Sequence, residues 1–148
     1  MKKLNAFTLI EIILVITLTS IVGVIAVASI VSYHVNTVLD SELKELVSNI
    51  QLARQNALGN DNSNDYSIKF LPESYILFPG AAYSSNNVEN RTYTLDSIVV
   101  VSTTFTNDII TFSNFTGRVS EPGSISVSAG GINREVTINS LGIVEDIL

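Results

Sequence analysis

The chain has 148 residues, of which 46% are hydrophobic, and a formal net charge of −6. It contains no cysteine, which excludes disulfide scaffolds, thiolate metal sites and cysteine catalysis. An acidic protein is a poor general binder of nucleic acid, because phosphates are bound by clustered Lys and Arg side chains. Beyond an apolar N-terminal segment, enough chain remains for one small globular domain.

A long apolar segment follows a short basic leader. Residues 1–6 include Lys2 and Lys3, and no charged residue occurs from Ile12 to Val31. A run of this length can cross a bilayer as a helix, at about 1.5 Å rise per residue. The lysines predict a cytoplasmic N-terminus and a C-terminal domain on the other side of the membrane. Glu11 is the exception, because a carboxylate in such a segment is costly and suggests a function of its own.

An alternative is an ordinary secretory signal. Ala26-Val27-Ala28 resembles the small-residue cleavage site of such signals, and a cut there would release a soluble domain beginning at Ser29. The apolar run before this site is longer than the roughly 7–15 residues of a signal core, and it carries Glu11. The pattern therefore favours a retained segment. The competing function is a monomeric β domain, anchored or secreted, that binds a ligand.

The helical pattern continues beyond the apolar segment. Apolar residues recur at steps of three and four on one stripe, with polar residues mostly off it. We therefore predict one helix over Thr8–Leu58, with a membrane half at residues 7–32 and an amphipathic half at 33–59. Gly59 and Asn60 supply a stop signal, and two helices broken near Ser32–Asn36 are the alternative. The stripe consists of Val35, Leu39, Leu43, Leu46, Ile50, Ala53 and Ala57.

Residues 60–148 have the composition of a β domain. Short runs of β-branched and aromatic residues alternate with turn signals, which is typical of an antiparallel sheet. Such a sheet needs cover for its apolar face, and the amphipathic half of the helix is available. The predicted fold class is therefore α+β, with a long N-terminal helix packed on a small antiparallel β-sheet domain. The predicted strands are Tyr66–Phe70, Ser74–Phe78, Thr92–Leu95, Ile98–Ser102, Ile109–Ser113, Gly117–Val119, Ile125–Ser128, Glu135–Asn139 and Ile143–Ile147.

The sequence shows no catalytic motif, and we expect neither an enzyme nor a cofactor. The single histidine is too few for a zinc site. Asp61, Ser63 and Asp65 alternate in the way that a calcium loop supplies oxygen ligands. However, Tyr66 occupies the position of the turn glycine and Pro72 that of the bidentate acid. A hydrated helix-to-strand turn is the alternative interpretation of these three residues.

The run Ala6-Phe7-Thr8-Leu9-Ile10-Glu11 and the apolar helix behind it resemble the type IV pilin-like family, which carries class III signals. The resemblance implies that a membrane prepilin peptidase cuts between Ala6 and Phe7 and methylates the new amine of Phe7. The residue before the cut is usually glycine in this family, so Ala6 is a departure. The family's apolar segment often contains a kinking proline, which this sequence lacks over residues 26–32.

Two downstream stretches resemble the H-type minor pseudopilins and FimT-like minor pilins. These are the helix end over residues 46–57, and a later pattern in two parts. The first part is Ile110-Thr111-Phe112 with Gly117-Arg118-Val119, and the second is Arg134-Glu135-Val136-Thr137-Ile138 with Gly142-Ile143. Members carry a β domain of two packed sheets. The resemblance implies a structural subunit of a type II secretion pseudopilus or a type IV pilus. The implied partners are other pilin subunits, prepilin peptidase, the inner-membrane assembly platform and, before assembly, membrane lipid.

The resemblance also gives Glu11 a role in assembly. Cleavage would leave a cationic amine on Phe7, with a reference pKa of about 7.7–8. A neighbouring subunit offset by about 6 Å could place that amine on this carboxylate, and two desolvated charges gain much by pairing. Alternatively, Glu11 lies at the level of the lipid headgroups and has no role in assembly.

Some FimT-like proteins bind DNA during uptake. In this chain the candidate phosphate contacts would be Arg91, Arg118 and Arg134. The acidic net charge of the protein disfavours DNA as a partner.

Overall fold

The computed structural model describes residues 7–59 and 64–147, without the side chains of 24–29 and 146–147. One α-helix precedes eight β-strands, and a short 3-10 turn, Thr106–Asp108, lies between the fourth and fifth strands. The elements are α1 (Leu9–Gly59), β1 (Tyr66–Leu71), β2 (Ser74–Pro79), β3 (Arg91–Thr94), β4 (Val99–Thr103), β5 (Ile109–Phe112), β6 (Gly123–Ala129), β7 (Ile132–Ile138) and β8 (Val144–Ile147).

Helix α1 is one element of 51 residues, Leu9–Gly59. The alternative of two helices with a break near Ser32–Asn36 is therefore wrong. No proline interrupts the segment, and Gly23 is the one glycine inside it, so every interior residue retains a backbone donor for the helix. The helix ends at Gly59, where the predicted stop signal lies.

The strands form two four-stranded antiparallel sheets. Sheet A has the order β3-β2-β1-β5, and sheet B has the order β4-β6-β7-β8. The β1–β2 hairpin turns at Pro72 and Glu73, as the sequence predicts, with Leu71 paired to Ser74. The β6–β7 hairpin turns at Gly130 and Gly131, which both have positive φ and so fit a tight hairpin turn.

One predicted strand, Gly117–Val119, is wrong. Only Val119 pairs there, through an isolated antiparallel bridge to Phe112. Phe115 and Gly117 have φ values of 60° and 58°, and residues in the left-handed region cannot continue an extended strand. The segment is instead a turn that brings the chain back against the end of α1.

The core is built from the predicted helix stripe and the inner faces of both sheets. From Leu39 to Ala57 the stripe residues are at most 5% exposed. These side chains are buried because the apolar stripe of α1 packs on the sheets and covers their apolar faces. The predicted fold class, a long helix packed on a two-sheet antiparallel domain, is confirmed. The sheet residues buried to 1% or less include Ile68, Leu77, Phe78, Ile110, Phe112, Ile125, Val127, Val136 and Ile138.

The chain divides into two compact units, one ending at Asn36 and the other comprising Thr37–Leu148. The second, here called the C-terminal unit, contains the outer part of α1 and both sheets. All the fully buried apolar side chains of the described residues, from Leu39 onwards, belong to it. The C-terminal unit therefore holds the core, while the described part of the first unit consists of residues of α1 and the two before it.

Candidate functional site at the start of the helix

Thr8 caps the N-terminus of α1. Its carbonyl oxygen accepts hydrogen bonds from the amides of Glu11 at 3.1 Å and Ile12 at 3.3 Å, and its Oγ1 lies 3.4 Å from the Glu11 amide, which donates to it. Threonine followed three residues later by glutamate has the spacing of a capping box, in which each side chain satisfies a backbone amide of the first turn. The structure shows one half of this arrangement, in which Thr8 Oγ1 accepts from the Glu11 amide. The Thr-x-x-Glu spacing is visible in the sequence and predicts this start of the helix.

The first part of α1 exposes apolar side chains on every side. From Phe7 to Val22 the large apolar residues are 51% to 77% exposed. Five consecutive residues, Ile12 to Ile16, are each more than half exposed, and five residues exceed one full helical turn. A continuous apolar surface of this kind marks a site that contacts protein or lipid.

The polar side chains within this segment are satisfied by the helix itself. The hydroxyls of Thr17, Thr19 and Ser20 donate to backbone carbonyls three or four residues earlier, at 2.7–3.0 Å. Such bonds allow hydroxyl side chains to enter surroundings without water. Within residues 7–59 and 64–147, no helix combines the length and the apolar character needed to cross a membrane.

Phe7 and Glu11 lie on the same side of α1. They are four residues apart, which places them one turn from each other. Both line a shallow apolar groove together with side chains of the next turn. Phe7 is 76% exposed. Ala6, on the other side of the predicted cleavage position, lies outside the described residues.

The calcium prediction is untested, because Asp61 and Ser63 lie outside the described residues. Asp65 is described and has a structural role: its carboxylate accepts a hydrogen bond from the Asn114 amide at 2.8 Å, and its carbonyl accepts one from Gly80 at 2.6 Å. Asp65 thus joins the start of β1 to two other loops. In the part of the chain that the structure covers, no group of three or more His, Asp and Glu side chains could hold a metal ion.

The three candidate DNA-contacting arginines lie on three different elements. Arg91 begins β3, an edge strand of sheet A, and Arg118 lies in the turn after β5. Arg134 belongs to β7 in sheet B, and its Nε lies 3.9 Å from a carboxylate oxygen of Asp40 on α1. DNA binding stays a prediction that these positions leave untested.

Two polar contacts within the C-terminal unit were not predicted. The Asn49 side-chain amide donates to the Tyr75 hydroxyl at 2.8 Å, and both residues are buried. The Tyr75 ring also stacks on Tyr93 with centroids 5.2 Å apart. Glu42 accepts a hydrogen bond from the Asp96 amide at 3.1 Å. Both contacts join α1 to loops or strands far along the chain, so neighbouring residues in the sequence give no signal for them.

The C-terminal end of α1 is held by two turns. The Phe115 amide donates to the Ala57 carbonyl at 3.1 Å, and Arg54 Nε donates to the Leu141 carbonyl at 3.2 Å. Gly117 and Gly142 have positive φ, and a Cβ on Gly142 would overlap the carbonyl oxygen of Gly117. Parts of the stretches that carry the downstream resemblance, Gly117 and Gly142, therefore meet at the end of the helix.

No protein-family model matches the sequence, and no curated protein matches it. Two crystal structures of the type IV minor pilin FimU from Pseudomonas aeruginosa, strain PAO1, are similar in fold. One has a TM-score of 0.58 and 18% identity, covering 72% of this chain and 86% of FimU. The other has a TM-score of 0.57 and 17% identity, covering 72% of this chain and 90% of FimU. This chain has the type IV pilin fold. At such low identity the similarity is one of architecture, and it agrees with the predicted pilin-like fold.

Proposed function

We propose that this protein is a minor pilin or pseudopilin, a structural subunit that assembles through its N-terminal helix. The observation that carries the proposal is the continuous exposed apolar surface from Phe7 to Val22 in a chain with the pilin fold. A surface of this kind is stable only when protein or lipid covers it. Copies of the same helix, or helices of related subunits, would supply that cover in a filament.

Processing by prepilin peptidase is the first step of the proposed pathway. The leader, residues 1–6, is removed between Ala6 and Phe7, and Phe7 becomes the methylated N-terminus. Before assembly, the uncharged run from Ile12 to Val31 anchors the protein in the inner membrane, with the C-terminal unit outside the cytoplasm. Contacts with the assembly platform and sister subunits then draw the helix out of the lipid.

Pairing between subunits gives the helices their register. The Phe7 amine of one subunit binds the Glu11 carboxylate of its neighbour, at an axial offset of about 6 Å. In apolar surroundings an unpaired charge is strongly disfavoured, so this pairing favours one offset over all others. The cap formed by Thr8 is compatible with the pairing, since it uses the backbone amide of Glu11 and not its carboxylate.

The decisive experiment separates the charge of Glu11 from the hydrogen-bonding capacity of its side chain. Glu11→Gln removes the charge and retains an N3 side chain suited to a capping box, whereas Glu11→Ala removes both. We expect both variants to be cleaved and methylated, as read by mass spectrometry of the N-terminus, and both to be lost from sheared fibres. Glu45→Gln, on the exposed side of α1, is the matched control and should assemble normally.

Two results would contradict the proposal. Normal incorporation of Glu11→Gln would show that assembly does not need the charge of Glu11. A wild-type protein that keeps residues 1–6, or that begins at Ser29, would instead favour an anchored or secreted monomer. Between the two machines we favour a type IV pilus, because the FimU structures that share this fold are of a type IV minor pilin. Detection of the protein in sheared surface pili, rather than only in the membrane of secreting cells, tests that preference.

A further inference from the structure

Strand β3 forms one edge of sheet A, and its register fixes which backbone groups point away from the sheet. The Leu95 amide donates to the Glu73 carbonyl at 3.0 Å, one position beyond the last paired residue of β3. Bonded and non-bonded positions alternate along an antiparallel pair. Tyr93 is therefore a bonded position, whereas the N–H and C=O groups of Thr92 and Thr94 point outward from the edge.

The outward groups of β3 have no partner among the described residues. Thr92 and Thr94 are exposed, and neither backbone makes a hydrogen bond on the side away from β2. Two other edge strands are covered: in β4 the Val101 amide donates to the Pro72 carbonyl, and β5 forms an isolated bridge to Val119. An uncovered edge is a ready template for a further strand.

Glu42 shows how this edge is completed one position further along. The Asp96 amide is the next outward group after Thr94, and it donates to the Glu42 carboxylate at 3.1 Å. A carboxylate oxygen of α1 thus takes the place that a carbonyl of an added strand would occupy. The row then continues through Thr94 and Thr92 without such an acceptor.

The same end of β3 is negatively charged. Partial burial raises the pKa of Glu42, and the nearby charges of Glu45 and Asp96 raise it further. Among the described residues none of these three carboxylates forms an ion pair. A cation placed beside Glu42 and Asp96 from outside the monomer would therefore be stabilised.

No cation of the C-terminal unit offsets this charge. Lys44 lines a different groove along α1, and the Lys69 ammonium lies over the Tyr83 ring, 4.5 Å from its centroid. At the start of β3, Glu89 and Arg91 line one cleft and contribute one charge of each sign. The edge is therefore negative at one end and balanced at the other.

We propose that β3 binds an extended segment of another protein, which adds to sheet A as a fifth strand. The backbone groups of Thr92 and Thr94 supply the hydrogen bonds, and alternate side chains of the segment supply specificity. The added strand runs antiparallel to β3, as all neighbouring strands in sheet A do.

The edge also defines the side chains that the segment should carry. Alternate residues of a strand lie on one face, so the residues opposite Leu95 and Tyr93 both lie on the face towards α1. The first should be basic, because it reaches the carboxylates at Glu42. The second should be aromatic or apolar, because Tyr93 is only partly buried and its ring stacks on Tyr75 at 5.2 Å. The expected pattern is basic-x-aromatic.

Strand β3 itself has this pattern, in Arg91-Thr92-Tyr93, but a second copy does not fit. Arg91 shares a cleft with Asn56, and Asp96 bonds to Glu42, so β3 runs opposite to α1. A two-fold antiparallel pair of β3 strands would direct the two helices in opposite directions. Two copies anchored in one membrane point the same way, and this choice of another protein rests on the proposed function.

A peptide with the pattern tests the site on the full-length protein in detergent. The probe is the capped peptide Asn-Arg-Thr-Tyr-Thr-Leu, which has the sequence of residues 90–95. We expect it to slow hydrogen exchange of the Thr92 and Thr94 amides, read by NMR of isotope-labelled protein. The Tyr93 amide should not change, since it already bonds to β2.

N-methylated peptides test the hydrogen bonds directly. In the expected register the two threonines of the peptide lie opposite Thr94 and Thr92, so their amides point to β3. Methylation of both amides should weaken binding about tenfold or more, because two backbone hydrogen bonds are lost. Methylation of the tyrosine amide, which points away from β3, is the matched control and should leave the affinity within a few-fold.

The charge contact is tested by a double-mutant cycle. Glu42→Gln and Asp96→Asn remove the carboxylates and keep an acceptor oxygen for their backbone partners. Each should lower the affinity for the arginine peptide several-fold and have no effect on a peptide with glutamine in that place. Glu135→Gln, on β7 of sheet B, is the control and should not alter binding.

Three results would overturn the proposed site. These are unchanged exchange at Thr92 and Thr94 with millimolar peptide, equal effects of the two kinds of N-methylation, and equal losses for the arginine and glutamine peptides. Protection of both amides that rises with protein concentration, without peptide, would assign the edge to a second copy instead.

The outcome is separable from that of the assembly proposal. If wild-type protein enters fibres but no peptide protects Thr92 and Thr94, the strand site is wrong and the assembly role stands. If mass spectrometry shows that residues 1–6 are retained while the peptide still binds, the strand site stands without the assembly role.

Discussion

Asn49 shows how a single polar residue is placed in the core. Its neighbours Leu46, Ile50 and Ala53 belong to the buried stripe, and Asn49 itself is 7% exposed. The sequence pattern assigns it to the polar side because asparagine is polar. Its burial is possible because Tyr75, on strand β2, supplies an acceptor for its amide. Burial also raises the pKa of the Tyr75 phenol above its ordinary value, so the ring stays neutral at physiological pH.

Removing both members of this pair should cost less than the two single removals added together. We expect Asn49→Leu or Tyr75→Phe to lower the free energy of unfolding by about 1–3 kcal/mol, because each leaves a buried polar group without its partner. The double variant should cost clearly less than the sum of the two. Chemical unfolding of the purified protein in detergent measures the cycle, and strict additivity would show that the bond contributes little.

Gly142 is a second residue whose identity is set by the fold. Both Gly142 and Gly131 have positive φ, but only Gly142 has close neighbours where a Cβ would lie. We expect Gly131→Ala to cost about 1 kcal/mol from the backbone conformation alone, and Gly142→Ala to cost more because the Gly117 carbonyl must also move. Thermal unfolding of the two variants side by side tests this ranking. Equal losses would mean that the contact with Gly117 relaxes freely.

At the scale of elements, much of the fold follows from the sequence. Eight of the nine predicted strands are present to within a few residues, because turn residues separate β-branched runs so regularly. The prediction at Gly117–Val119 is wrong because Phe115 and Gly117 have positive φ, and a phenylalanine in the sequence gives no signal of that conformation. Strand order and register could not be predicted, since they depend on pairings such as β1 with β5 that span about forty residues.

The stability of the contact between α1 and the loop before β4 should depend on pH, because Glu42 accepts a hydrogen bond from Asp96 there. The raised pKa of this carboxyl means that folding favours its protonated form. Its contribution to stability is therefore present below its unfolded value near 4.5 and is lost as pH rises through the folded value. Glu42→Gln stays neutral and can still accept the Asp96 amide, so we expect a higher melting temperature than wild type at pH 7 and no difference at pH 4.

Glu89→Gln is the matched control for that comparison, since Glu89 lies exposed in the loop between β2 and β3. It removes one carboxylate without touching α1. A Glu42→Gln variant that is less stable than wild type at pH 7 would show that the bond between the Glu42 carboxylate and the Asp96 amide outweighs the burial and repulsion of that carboxylate.

At the scale of the whole molecule, the core and the candidate site lie in different compact units. The buried side chains begin at Leu39, within the unit Thr37–Leu148. Hydrophobicity alone could not distinguish the core residues from the residues of the exposed site, because both sets consist of the same apolar residue types. The distinction came from amphipathic periodicity, which is present after Val35 and absent before it.

Removal of residues 1–36 should therefore leave a folded protein. We expect the remaining unit to unfold cooperatively on heating, with near-ultraviolet dichroism from its fixed tyrosines, because its core is intact. A deeper cut that removes residues 1–45 also deletes Leu39 and Leu43, and it should lose several kcal/mol of stability. A shorter fragment as stable as the longer one would show that the start of the stripe contributes little to the core.

The bond between Arg54 and Leu141 joins residues 87 positions apart. At a synthesis rate of about 5–20 residues per second, Leu141 is made roughly 4–17 s after Arg54. The exposed surface formed by Leu58, Phe115 and Leu141 at the end of α1 also needs Gly117. It is therefore absent from a nascent chain and arises only when the final turn has been translated. Any neighbour that recognises this surface would thereby distinguish a finished chain from a truncated one, whose N-terminal helix would otherwise be the same.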